Sequence, residues 1–202
     1  APTGSGKTEA ALLWATAQGQ NKILFLMPTK VTSNALYKRM QEYFPKEYCG
    51  ITHSGANVFL AMQEEDSYKQ LNKYRVFMAP ITVATVDQLL TEAFNMRHWY
   101  FKKFATLGAS VIFDEIHSYD PYTLGLITSC IEQIKKMQGH VMIMSATMPR
   151  SLREHFKRLL EVKEEITAEE LSDRANCSWQ YSEEPVETFQ EEITAALREG
   201  KK

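Results

Sequence analysis

Short, nearly unbroken apolar runs alternate along this chain with longer stretches in which apolar positions recur every three or four residues. The runs are KILFLM (22–27), YCGITH (48–53), RVFMA (75–79), SVIFD (110–114) and HVMIMSA (140–146). Runs this short and this apolar read as parallel strands covered on both faces. The stretches between them predict helices over 7–18, 30–43, 59–73, 86–94, 96–106, 121–137 and 149–160. Strand–helix alternation of this kind defines an α/β fold with a doubly wound parallel sheet. In such sheets ligands gather at the carboxyl ends of the strands.

Beyond residue 160 the pattern changes. Residues 161–199 are acidic and poor in apolar runs until a helical EEITAALRE. They read as a linker or surface-crossing segment whose acids form a solvated face, since the sign is wrong for DNA. Residues 1–160 therefore form the predicted domain. A hydrophobic fraction of 44% over 202 residues supports a packed core. The net charge of −2 excludes a wholesale nucleic-acid clamp but leaves room for a local basic groove. Cys49, Cys130 and Cys177 are isolated and lack metal-ligand spacing, as suits free thiols in a reducing, cytoplasmic setting. No apolar run approaches the length needed to span a bilayer.

The chemistry concentrates in three stretches. The first is TGSGKT (3–8). Thr3, Gly4, Ser5 and Gly6 have the composition of a loop whose backbone N–H groups face phosphate oxygens. Lys7 would reach the β- and γ-phosphates of ATP, and the Thr8 hydroxyl would ligand Mg²⁺. The helix that starts here adds its positive end to the anion site. The general pattern wants glycine at the first position, where this chain has Ala1, and no strand precedes the loop.

The second stretch is VIFDEIH (111–117), an apolar strand that ends in two carboxylates at the ligand edge. Asp114 is expected to hold the Mg²⁺ shell while Glu115 orients and deprotonates the attacking water. The third is MSATMP (144–149). Ser145 and Thr147 either pass the nucleotide state on by hydrogen bonding or cap a helix before Pro149. RHWYFKKF (97–104) mixes bases with aromatics, as a base-stacking platform would. However, Met96, Tyr100, Phe104 and Leu107 share one helical face, and core packing is the expected outcome.

The order TGSGKT, DEIH, SAT resembles superfamily 2 helicases, in particular their first RecA-like lobe, where AxTGxGKT makes Ala1 regular. APTGSGKTEAAL, PTKVTSNAL (28–36), HS (53–54), APITVATVDQLL (79–90), DEIHSYD and MSATMP together look like the CRISPR-associated helicase of type I interference systems. The resemblance implies that His117 links the nucleotide site to Ser145 and Thr147. It also implies that single-stranded DNA is held by Pro28, Thr29 and Lys30 and by Thr85, Asp87 and Gln88. Lys30 stands where the family more often has arginine, which would weaken bidentate phosphate contact. His53 and Ser54 match less closely.

Implied partners are a second RecA-like lobe, whose start would be residues 200–202, a guide-RNA surveillance complex, and an HD nuclease domain or subunit. No His-Asp doublet occurs in this chain. With the second lobe's arginines absent, the chain alone is expected to hydrolyse ATP very slowly. The resemblance puts the strand that feeds the phosphate loop beside the SAT strand, so that strand's edge is expected to be unpaired and residues 1–6 poorly held. Ala1 would mark a truncation. Other readings are another superfamily 2 DExH helicase acting on RNA or DNA, and a non-catalytic nucleotide-binding module.

Overall fold

The computed structural model describes residues 6–62, 74–93, 99–162, 165–166, 186–190 and 194. Its strands are β1 (Ile23–Met27), β2 (Cys49–Thr52), β3 (Ile81–Thr85), β4 (Ser110–Phe113) and β5 (His140–Ile143). Its principal helices are α1 (Lys7–Ala17), α2 (Lys30–Tyr43), α3 (Ala56–Ala61), α4 (Val86–Ala93), α5 (Trp99–Thr106), α6 (Pro121–Lys136) and α7 (Arg150–Leu160). The strands form one all-parallel sheet in the order β2-β3-β1-β4-β5. From β1 the chain runs to the edge strand β2, returns inward to β3, then crosses to β4 and β5 on the other side, so β1 is the topological switch point.

Alternation along the strands divides the core in two. Phe25, Ile51, Val83 and Ile112 point to one face, where Ala11 and Ala15 of α1 and Leu36, Tyr37 and Met40 of α2 cover them. Leu24, Leu26, Val111 and Phe113 point to the other, beneath Leu89 of α4, Ile127 and Ile131 of α6 and Phe156 of α7. Both faces are thus dry, which is why the strands read as continuous apolar runs. β5 is a sheet edge: its residues are half-buried, and no described residue pairs with its outer side. That agrees with the expected unpaired edge on the SAT strand. The expectation for residues 1–6 falls, Gly6 apart, outside the described residues.

Two expectations fail. The run at 75–79 is not a strand. Phe77 adopts φ 58°, a left-handed turn that buries its ring and leaves Met78 54% exposed. The strand begins only after Pro80, in the β-branched ITVAT. An apolar run is too coarse a signal to distinguish a buried turn from a strand.

The second failure is α5. Tyr100, Phe104 and Leu107 are 54%, 71% and 56% exposed, whereas Lys102 and Thr106 are its buried positions. Met96 lies outside the described residues. The helix is rotated because the Lys102 ammonium donates to Gln88 O (2.7 Å) and Thr91 Oγ1 (2.9 Å) and lies over the Phe77 ring. A lysine can bury its stem when its head finds acceptors.

Candidate nucleotide and nucleic-acid site

Parallel strands in register end together, and here that brings the chemistry-bearing loops to one edge. Met27 pairs with Thr85, and Leu26 with Phe113, which in turn pairs with Ile143. The residues that follow emerge side by side: Pro28–Lys30 after β1, Val86–Gln88 after β3, Asp114–Glu115 after β4 and Ser145–Thr147 beyond β5.

α1 starts at Lys7, immediately after Gly6 in a left-handed conformation (φ 81°, ψ 20°). A side chain at that φ would be strained, so the turn into the helix favours glycine. Lys7 Nζ donates to Glu115 Oε1 at 2.8 Å, and the Ala146 N–H donates to Glu115 Oε2 at 3.0 Å. One carboxylate therefore ties the start of α1 to the ends of β4 and β5. Glu115 itself has φ 47° and ψ 47°, a sparsely populated backbone state for a non-glycine residue. Strain of this kind persists where surrounding contacts hold it, and it gathers at functional sites.

The two neighbouring acids are tuned in opposite directions. Burial and the adjacent Glu115 charge raise the Asp114 carboxyl above the ordinary aspartate range. Burial also works to raise Glu115, but the hydrogen bonds from Lys7 and Ala146 outweigh it and hold Glu115 low. Asp114 Oδ1 accepts the Glu115 N–H at 3.0 Å, and the Asp114 N–H donates to Leu26 O at 3.0 Å, which anchors the acid beside β1.

These residues fit Mg²⁺–ATP. A half-buried aspartate with a raised pKa is a carboxylate that a divalent cation would return to its charged form. Among the described residues no cluster of three metal-ligating side chains exists. Thr8 lies in the first turn of α1, and Thr3, Gly4 and Ser5 fall outside the described residues.

His117 Nδ1 lies 2.6 Å from Ser145 Oγ and 3.4 Å from Glu115 Oε2. Ser145 Oγ in turn hydrogen-bonds to Thr147 O. Of the sequence-predicted set, His117, Ser145 and Thr147 are thus brought into one hydrogen-bonded chain, Thr147 taking part through its backbone, and Glu115 lies beside it.

The other candidate set occupies the β3–β1 side of the same edge. Thr29 and Lys30 are exposed. The Thr29 hydroxyl caps α2, accepting the Thr32 N–H at 3.1 Å while the Thr32 hydroxyl bonds back to it. Asp87 is exposed and accepts from Gln88 Nε2 at 2.7 Å, whereas Thr85 is buried at the strand end.

His53 braces α2 beside these loops, a role the sequence marked only weakly. Gly55 N–H donates to its Nδ1 (3.1 Å), so Nε2 carries the proton towards Asn34 Oδ1 (2.8 Å). Burial first, then the Lys30 charge, depresses its pKa, with Asp87 opposing. It is a neutral histidine bracing the start of α2. Ser54 is exposed beside it. Sequence reasoning missed Tyr119, whose hydroxyl is buried against this site, and Lys102, which holds α4 from behind. Only an aromatic and a base inside otherwise ordinary stretches signalled them.

A doubly wound parallel sheet with a lysine at the head of α1 facing a strand-end Asp-Glu pair defines a P-loop nucleotide-binding lobe. The model for DEAD/DEAH box helicases matches residues 1–155, and the chain belongs to that family. It is similar to the CRISPR-associated nuclease/helicase Cas3 of Methanothermobacter thermautotrophicus (30% identical, covering 76% of this chain and 19% of that protein). It is also similar to the CRISPR-associated endonuclease/helicase Cas3 of Escherichia coli (29% identical, 74% and 20% covered). Among solved structures it matches that of T. fusca Cas3 with ATP, with a TM-score of 0.70 at 27% identity over 79% of this chain and 19% of that one. The chain spans about a fifth of the length of these relatives.

Proposed function

We propose that this chain is the ATP-binding motor lobe of a single-stranded-DNA translocase that unwinds target DNA in CRISPR interference. One observation carries the reading: Glu115 joins Lys7 of α1 to Ala146 beyond β5, at the same sheet edge where Pro28–Lys30 and Val86–Gln88 emerge together. In this reading nucleotide chemistry and strand contacts are neighbours along one sheet edge. The similarity to relatives named nuclease/helicase supports the assignment.

In this reading residues 1–160 form the lobe, 161–199 lead away from it and 200–202 open a second RecA-like lobe. Lys7 neutralises charge on the β- and γ-phosphates, and Thr8 with Asp114 holds Mg²⁺. Bound Mg²⁺–ATP supplies the phosphoryl group whose transfer to water drives the motor. Glu115, kept ionised by Lys7 and Ala146, takes up the proton of that water once Lys7 turns towards phosphate. His117 and Ser145 report the state of Glu115 along their hydrogen bond. Lys30, Thr29, Pro28, Thr85, Asp87 and Gln88 hold the DNA backbone.

The intact protein would act with a guide-RNA surveillance complex that selects the target and an HD nuclease that cuts it. The test is ATP hydrolysis by the intact protein with single-stranded DNA or RNA added. The account requires stimulation by DNA. Stimulation by RNA alone would reassign the substrate, and no hydrolysis at all would leave a nucleotide-binding module.

A further inference from the structure

Tyr119 is the residue of this site whose chemistry remains unused. It follows the short 3-10 turn Ile116–Ser118 that carries His117, and directly precedes Asp120, the N-cap of α6. Its ring packs against the hydrophobic cluster beneath α4, α6 and α7. Its hydroxyl is buried, and among the described residues no hydrogen-bond partner meets it. A buried phenol ordinarily finds an acceptor. Its ring shares that cluster with Val86, Leu89 and Leu90 of α4, and burial first, then the charges of Asp114 after β4 and Asp87 in the first turn of α4, push the phenol's pKa far up. Tyr119 therefore keeps a proton to donate, within the electrostatic reach of Asp114 and of Asp87.

Neither carboxylate accepts from Tyr119 in this state. Asp114 Oδ1 takes the Glu115 N–H, and Asp87 Oδ2 takes Gln88 Nε2. An unsatisfied buried donor disfavours the state that contains it. It favours any rearrangement that swings an acceptor onto it.

We propose that Tyr119 is a positioning residue that couples the two ligand sites, its hydroxyl donating to Asp87 when nucleic acid engages α4 and thereby settling the loop that carries Asp114 and Glu115. The inference rests on the functional reading above. It adds to that reading a specific route from strand binding to ATP turnover, distinct from the His117–Ser145 contact.

Tyr119→Phe removes the hydroxyl and keeps the ring. In the intact protein we expect stimulation of ATP hydrolysis by single-stranded DNA to fall about fivefold or more, a typical coupling between sites, while KM for ATP changes little. Binding of a labelled oligonucleotide, measured by anisotropy, should lose its dependence on a non-hydrolysable ATP analogue. The thermal midpoint of the nucleotide-free protein should hold or rise, because the variant removes an unsatisfied donor. In an Asp87→Asn background, Tyr119→Phe should change stimulation no further. Undiminished stimulation, retained nucleotide dependence of DNA binding, additive effects of the two substitutions, or a drop in the thermal midpoint would each overturn the proposal. The wild-type protein measured alongside reads the functional reading itself: DNA stimulation there, together with an unaffected Tyr119→Phe, rejects the coupling alone.

Discussion

Asp114 and Glu115 are adjacent in the chain yet are held on opposite sides of the ordinary carboxylate range. Burial and the neighbouring negative charge raise Asp114, whereas Lys7 and the Ala146 N–H outweigh burial and lower Glu115. The linkage signs are therefore opposite. Asp114 contributes stability that is present below the usual aspartate pKa and is lost as pH rises through its raised folded value. Glu115 contributes stability that is present above the usual glutamate pKa and is lost as pH falls through its lowered folded value. In metal-free buffer at neutral pH, Asp114→Asn should raise the thermal midpoint, on the order of 2 °C, and Glu115→Gln should lower it by a similar amount. Melting curves between pH 4 and 7 check both: the gain from Asp114→Asn should shrink as pH falls, and a gain independent of pH would contradict the assignment.

Lys102 holds the first turns of α4 by their Gln88 carbonyl and Thr91 hydroxyl. Lys102→Met keeps most of the stem but leaves those acceptors without the ammonium, which should destabilise the fold by about 1–3 kcal/mol. Urea unfolding measures this. An unchanged midpoint would mean that α5 is held by its other contacts alone.

The 2.6 Å contact between His117 and Ser145 links the turn after β4 to the segment after β5. Ser145→Ala should leave ATP binding intact and lower DNA-stimulated turnover in the intact protein, by about tenfold if the contact carries a typical coupling free energy. Equal losses with and without DNA would show instead that Ser145 serves the hydrolytic step.

The nucleotide half of the site was legible in the sequence because its residues are local. Lys7 follows its glycines directly, and the Asp114–Glu115 pair ends an apolar strand, so type and spacing suffice. What escaped depends on rotation and on long-range partners. The RVFMA run has strand composition, but Phe77 turns it, and register was set instead by the ITVAT that follows. The aromatics of α5 share a helical face as a core stripe would, yet the face turned inward is the one that lets Lys102 reach α4. Periodicity identifies a face, and only packing partners decide which way it points. Tyr119 was invisible for the same reason, since the burial of its hydroxyl depends on elements distant in sequence.

The ion pair between Lys7 and Glu115, 2.8 Å long and bridged onward to Ala146, is the contact on which the proposed mechanism turns. Glu115→Gln abolishes the base and releases Lys7 from its counter-charge. ATP should then bind at least as tightly as in the wild type, while turnover falls by about a hundredfold or more, the range a general base supplies. The direct measurement pairs ATP binding by titration calorimetry with DNA-stimulated hydrolysis in the intact protein, wild type against Glu115→Gln. Retained binding with lost turnover is the predicted result. Turnover within a few-fold of wild type, with binding retained, would contradict the role given to Glu115 and with it the account of the site.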